Sequence, residues 1–164
     1  MKEQREDGYA EIHHFEQGYP PSAFAFAVSF GNGNAIDDTA FSEVSGIGSE
    51  FETETVVEGG ENRFVHQLPK QIKHGHLELK RGIARLDSPL AQWCKDTLEG
   101  EFAKMIKLEV VIVKLTGANG QVLRVWQFND AWPVKWSVDP FGATKNEVAI
   151  EKISLAYSYS QRRA

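Results

Sequence analysis

Phe24, Phe26, Val28 and Phe30 recur at every second position, with alanines between the first of them. A period of two sends successive side chains to opposite faces, so this stretch predicts a strand with one bulky face. Gly31-Asn32-Gly33-Asn34 breaks the pattern, and Phe41 to Ile47 resumes it before Gly48. Upstream, residues 1–18 are polar without periodicity and read as an arm, which Tyr19-Pro20-Pro21 terminates because proline holds the backbone extended.

The next segment reads as a hairpin. Glu50, Glu52, Glu54 and Glu58 fall on one face, and Phe51, Thr53, Thr55 and Val57 on the other. Gly59-Gly60 supplies the positive φ of a two-residue turn. That register sets Phe51 opposite Leu68 and Thr55 opposite Phe64, with Arg63 diagonal to Glu54 and Glu58. Leu77 and Leu79, alternating with Glu78 and Lys80, make a further strand.

A helix is predicted over 88–99. Ser88 suits the N-cap, Pro89 the first turn and Gly100 the stop. Leu90, Trp93, Cys94 and Leu98 recur at three and four residues, giving an apolar stripe to lay on a sheet. Gln92, Lys95, Asp96 and Glu99 occupy the opposite face. Met105 to Leu115 then predicts a long apolar strand, Thr116 to Gly120 a turn, and Gln121 to Phe128 the return. Trp132-Pro133 interrupts before Val134 to Val138 continues. In the last strand Val148 and Ile150 share one parity while Ile153, Leu155, Tyr157 and Tyr159 share the other, so a β-bulge is expected at Glu151-Lys152. These elements predict a mainly β (α+β) fold: antiparallel sheets packed as a barrel-like or two-layer domain over 19–164, with one helix and an N-terminal arm at 1–18.

Charge narrows the function classes. Lys plus Arg is 18 against 23 for Asp plus Glu, a formal net of −5, which argues against a specific nucleic-acid binder with a broad basic surface. No apolar run approaches the ~18–20 residues of a spanning helix, and the charged N-terminus lacks the apolar core of a secretory signal. The single cysteine, Cys94, precludes an intrachain disulfide and points to synthesis in a reducing compartment. On the helix stripe it reads as a small buried hydrophobe.

Candidate chemistry is sparse. His74 and His76 have no third ligand at convincing spacing, and His13-His14 lies in the arm, so no metal site is read. Asn32, Asn34, Asp37 and Asp38 lack the spacing and closing glutamate of a calcium loop. Trp126, Trp132 and Trp136 read as core or interface anchors. No nucleophile–base constellation and no glycine-rich phosphate loop is legible, so neither a catalytic residue nor a cofactor is assigned.

Several ordered stretches resemble one family. They are Tyr19-Pro20-Pro21 leading into Phe24 to Phe30, Phe41 to Gly46, Glu58-Gly59-Gly60-Glu61-Asn62-Arg63-Phe64, Leu77 to Gly82, Ser88-Pro89-Leu90 with Trp93, Trp126 with Phe128-Asn129, Ala131-Trp132-Pro133, and Asn146 to Glu151. In this order they resemble the tail-tube proteins of contractile phages, above all those of phage-tail-like injection particles such as the Photorhabdus virulence cassettes and the antifeeding prophage. The tube of type VI secretion is a related architecture with less similar motifs. The resemblance implies a structural, non-enzymatic subunit that closes into homo-hexameric rings, stacked into a tube inside a contractile sheath. Baseplate and cap proteins complete the particle, and payload fills the lumen. Synthesis would be in the bacterial cytoplasm, the finished particle extracellular or virion-associated, and the subunit itself not membrane-inserted. It also implies that strand edges find partners on neighbouring copies.

The resemblance assigns the subunit interface to Glu58 through Phe64, namely Glu58, Gly59, Gly60, Glu61, Asn62, Arg63 and Phe64. Glu50, Glu52 and Glu54 are lumen candidates, as a row of carboxylates that would repel acidic cargo from the wall. Gln92, Lys95, Asp96 and Glu99 are the candidate sheath contact. The arm, long for the family, leaves a baseplate-proximal initiator open beside the bulk tube subunit. A soluble β-barrel ligand-binding module, or a hydrolase built from distant Asp, Glu and His, are the readings from other classes.

Overall fold

The computed structural model describes residues 25–31, 36–57, 59–60, 63–83, 88–100, 103, 105–117, 120–140 and 149–163. The expected arm therefore lies outside the described residues, as do Asn32, Asn34 and Val148. The elements run β1 (Ala25–Phe30), β2 (Ile36–Ser45), β3 (Glu50–Val56), β4 (His66–Lys73), β5 (Leu77–Gly82), α1 (Pro89–Leu98), β6 (Glu109–Thr116), β7 (Val122–Val138), β8 (Ile150–Ala156) and β9 (Tyr159–Arg162). Strands dominate, one helix accompanies them among the described residues, and every pairing is antiparallel, as the periodicity predicts.

Seven strands form one sheet in the order β6-β1-β2-β5-β8-β7-β9, and β6 also pairs with β7. That extra pairing closes the sheet into a barrel, whose opposite walls meet as two packed layers. Val28, Leu77, Leu79, Val111, Val113, Phe128, Ile153 and Leu155 are fully buried inside it. Each such side chain contributes about 1.5–3 kcal/mol relative to exposure. The three tryptophans expected as anchors, Trp126, Trp132 and Trp136, pack against this core.

Helix α1 packs on the barrel against β7 and β2. Ser88 Oγ accepts from the Ala91 amide, Pro89 opens the helix, and Glu99 closes it by donating its amide to the Lys95 carbonyl. A Cβ at Gly100 would overlap the Asp96 carbonyl oxygen, so glycine is needed there. Leu90 and Cys94 are fully buried, Trp93 stacks on Phe30 at 5.9 Å, and its Nε1 donates to the Lys107 carbonyl at 3.0 Å.

Three expectations need correction. The long apolar strand begins at Glu109, not Met105, whose side chain is 95% exposed; apolar composition alone did not carry a ladder partner. Trp132-Pro133 does not interrupt β7, because the strand changes partner there. Its first part pairs with β6, its second with β8, and the register shift between Pro133 and Lys135 accommodates the missing N–H. No bulge occurs at Glu151-Lys152. The β5–β8 register is unbroken from Leu77↔Leu155 to Gly82↔Ile150, and Glu151 simply points into the core, where polarity disguised its parity. Beyond the closed strand order, β9 lies at the end of the seven-stranded sheet and β3–β4 form a separate two-stranded sheet.

Candidate functional site

The β3–β4 hairpin stands apart from the barrel as its own sheet. Its register differs from the expected one. Phe51 faces Ile72, Thr53 faces Pro69, Glu54 faces Leu68 and Thr55 faces Gln67, with the last rung at Val56↔His66. Residues 57–65 therefore make a long connection, in place of a two-residue turn. The charges explain the slip. Lys73 Nζ sits 3.1 Å from Glu52 and Lys70 Nζ 3.3 Å from Glu54, whereas the glycine-centred register would offer those carboxylates no lysine. Arg63 accordingly lies in the connection and not in the ladder. A register shift between Phe51 and Thr53 places the extra residue on β4 beside Pro69, a position that spares proline a ladder bond.

Of the carboxylate row, Glu52 and Glu54 are paired with Lys73 and Lys70, and Glu58 lies outside the described residues. The opposite face carries Phe51 and Ile72, 60% and 58% exposed. Val57 and Phe64 in the connection are also exposed, the Phe64 ring edge-on to His66 at 5.3 Å. Of the interface candidates, Gly59, Gly60, Arg63 and Phe64 are exposed, and Gly60 has φ +102°; Glu58, Glu61 and Asn62 lie outside the described residues.

Two short connectors root the hairpin, residues 46–49 and 74–76. Gly46, at φ +79°, passes so close to the chain that a Cβ would overlap the His76 carbonyl oxygen. The connectors flank an open cleft of about 560 Å³ bordered by Gly46, Ser49, Glu50, Lys73 and His74. The His74 ring stacks on Tyr157 at 4.1 Å, and its Nε2 lies 3.1 Å from the Ser158 carbonyl oxygen, fastening the root to the barrel. Tyr157 in turn meets Phe128 edge-on at 4.9 Å, and burial raises its phenol pKa. His76 is exposed. Asp37 and Asp38 belong to β2, paired with Ser29 and Val28, and so form no loop.

The helix face expected to meet a partner is exposed at Gln92, Lys95, Asp96 and Glu99, with Gln92 Nε2 donating to Asp96 Oδ1 at 3.2 Å. Behind it, Cys94 is inert: burial first, and the Glu151 charge second, push its thiol up to about 12.

One group of residues escaped the sequence reading. Arg81 and Glu151 form a buried ion pair, Nε to Oε2 at 2.6 Å. Trp136 Nε1 donates to Glu151 Oε1 at 2.6 Å, Arg81 Nη2 donates to Ser88 Oγ at 3.2 Å, and the guanidinium lies 5.2 Å from the Phe41 ring centre. The network ties two barrel strands to the cap of α1. Its one signal in the sequence was that Arg81 continues the inward parity of Leu77 and Leu79.

Solved structures share this fold. A chain of the anti-feeding prophage baseplate superposes with a TM-score of 0.75 at 26% identity, covering 89% of this chain and 97% of that one. A chain of an extracellular contractile injection system, from its PVC sheath-tube complex in the extended state, gives 0.72 at 24%, covering 90% and 93%. Hcp1 from Flavobacterium johnsoniae gives 0.55 at 14%, covering 85% and 95%. No curated protein matches the chain significantly. The model of the T4-like virus tail tube protein gp19 matches residues 22–161, and on that match, with the barrel, capping helix and outlying hairpin just described, the chain belongs to the T4-like virus tail tube protein family.

Proposed function

We propose that this chain is the structural subunit of the inner tube of a contractile injection system, six copies closing into a ring and rings stacking into a tube. The hairpin carries the reading. A two-stranded sheet is marginal in water by itself, yet this one stands off the barrel with both outer edges open and Phe51 and Ile72 exposed. A neighbouring copy is the partner that supplies both a strand edge and an apolar face, through head-to-tail contacts that close by rotation. The connection from Glu58 to Phe64 joins this interface. The carboxylates Glu50, Glu52 and Glu54, repeated around each ring, rim the lumen through which payload passes, and Gln92, Lys95, Asp96 and Glu99 meet the sheath. Baseplate and cap proteins bound the tube, which is assembled in the bacterial cytoplasm and works without catalysis.

Purified protein imaged by negative-stain microscopy should show rings of six and short tubes, with size-exclusion chromatography giving the matching mass. A monomer that persists at every concentration, also with sheath co-expressed, overturns the reading. A baseplate-proximal initiator is the second reading, favoured by the 26% identity to a chain solved within a baseplate. Rings that never stack would select it.

A further inference from the structure

The strand registers keep phase across the hairpin root. Ser45↔Glu78 is the last rung of the β2–β5 ladder, and Glu50↔Lys73, the first of the β3–β4 ladder, lies five residues further along both strands. β2–β3 and β4–β5 are therefore one long ribbon, interrupted only at its two connectors. On the other side, Trp132↔Ala156 and Asn129↔Tyr159 lie three residues apart on both strands, so β8 and β9 run on as one strand along β7. β5 pairs with β8 as far as Leu77↔Leu155. Beyond that rung the ribbon leaves the barrel while β9 continues. The seam that is closed between β5 and β8 is thus open between β4 and β9.

His74 sits at the branch. Its Nε2 lies 3.1 Å from the Ser158 carbonyl oxygen, and its ring stacks on Tyr157. In the β5–β8 register, continued past Leu77↔Leu155, His74 is the residue that faces Ser158, so its side chain bridges where a backbone rung would stand. The next two rungs set Lys73 opposite Tyr159 and Ile72 opposite Ser160. The Arg163 amide donates to the Val125 carbonyl of β7, and amide direction alternates along a strand. The Ser160 amide therefore points away from β7, to the open side. Ile72 and Tyr159 are both exposed. Gly48 and Gly75 in the connectors have nothing within 4 Å of a Cβ position, which leaves room for a pivot.

We propose that β4 is a strap for its own subunit: in a free copy it pivots at the connectors and zips onto β9, with Lys73 against Tyr159 and Ile72 against Ser160. The structure holds the strap open, with His74 already in place at the first rung. Closing continues the β5–β8 register without a slip, so only the two short connectors have to move. It also covers the outer edges of β4 and β9 together. Neither edge has a strand partner among the described residues, and left open they would template pairing with other chains. The proposal concerns a single copy, so it goes beyond the tube reading and does not depend on it.

Cysteine pairs in the full chain carrying Cys94→Ala test it. With the strap closed, residues 72 and 160 form a hydrogen-bonded rung with Cα atoms about 5.5 Å apart, within reach of a disulfide, whereas 72 and 162 stay about 9 Å apart, beyond it. Oxidised glutathione is added at a dilution where size-exclusion chromatography shows single copies. Ile72→Cys with Ser160→Cys should then close within one chain at least about 10-fold faster than Ile72→Cys with Arg162→Cys. The unsubstituted chain supplies a second readout. Its Ser160 amide should exchange at least about 10-fold more slowly than an unstructured amide, and Ile72→Pro should remove that protection. Equal closing rates, a Ser160 amide that exchanges as in an unstructured chain, or disulfides found only between copies when 15N-labelled and unlabelled chains are mixed would each overturn the proposal. So would a chain that shows no single copies at any dilution.

Discussion

Arg81 and Glu151 face each other across the β5–β8 rung with 2.6 Å between Nε and Oε2, and their side chains are only 3% and 2% exposed. Two ions so far from water cost several kcal/mol each to desolvate, which their attraction offsets only because Trp136 and Ser88 satisfy further hydrogen-bonding positions. The pair fixes where the helix cap sits on the barrel more than it adds stability.

Breaking the pair from one side should therefore be costly. Glu151→Leu alone removes the carboxylate that faces the buried guanidinium and should destabilise the fold by about 3–5 kcal/mol, measured by urea unfolding. Combining it with Arg81→Met should recover most of that loss. Equal losses in single and double variants would contradict the account.

Gly46→Ala tests the hairpin root. The added methyl meets the His76 carbonyl oxygen at a φ of +79°, so a cost of about 1–3 kcal/mol is expected, with increased amide exchange in β3 and β4. The equivalent change at Gly59, which has open space around it, should be close to neutral.

Phe51→Glu with Ile72→Lys separates association from folding. The two positions are directly opposed and exposed, so the new pair suits the hairpin and monomer stability should change by no more than about 0.5 kcal/mol. Rings should be absent under the microscope. Rings that form as before would remove this face from the interface.

Cys94 gives a pH signature. Its thiol is raised from 9.0 to about 12, so the unfolded chain releases this proton first as pH rises. The stability it contributes is complete below about pH 9 and declines toward pH 12, and the raised Tyr157 phenol acts in the same direction above about pH 10. Cys94→Ala should flatten the fall of Tm above pH 9. Alkylating reagents should modify Cys94 only in denaturant.

Period-two alternation made the barrel walls legible, since Phe26, Val28 and Phe30, or Leu77 and Leu79, carry their direction in their chemistry. Ser88, Pro89 and Gly100 likewise bounded the helix. The misreadings share a physical cause. Glu151 and Arg81 hold inward positions with outward chemistry, and only the partner strand reveals that each neutralises the other. Gly59-Gly60 is a strong local turn signal, yet the lysines of β4 set the register from further along the chain. Strand continuity through Pro133 depends on a change of neighbour, which is long-range information. For the interface candidates, the sequence located the hairpin and its carboxylate face but missed the lysines that answer it.

The pairing of β6 with β7 has a mechanical implication. Closure of β6 on β7 removes two strand edges that would otherwise stand open. The two-stranded β3–β4 sheet lies outside that closure and keeps its outer edges. On the proposed tube reading, a docking copy would then engage the hairpin without opening the barrel.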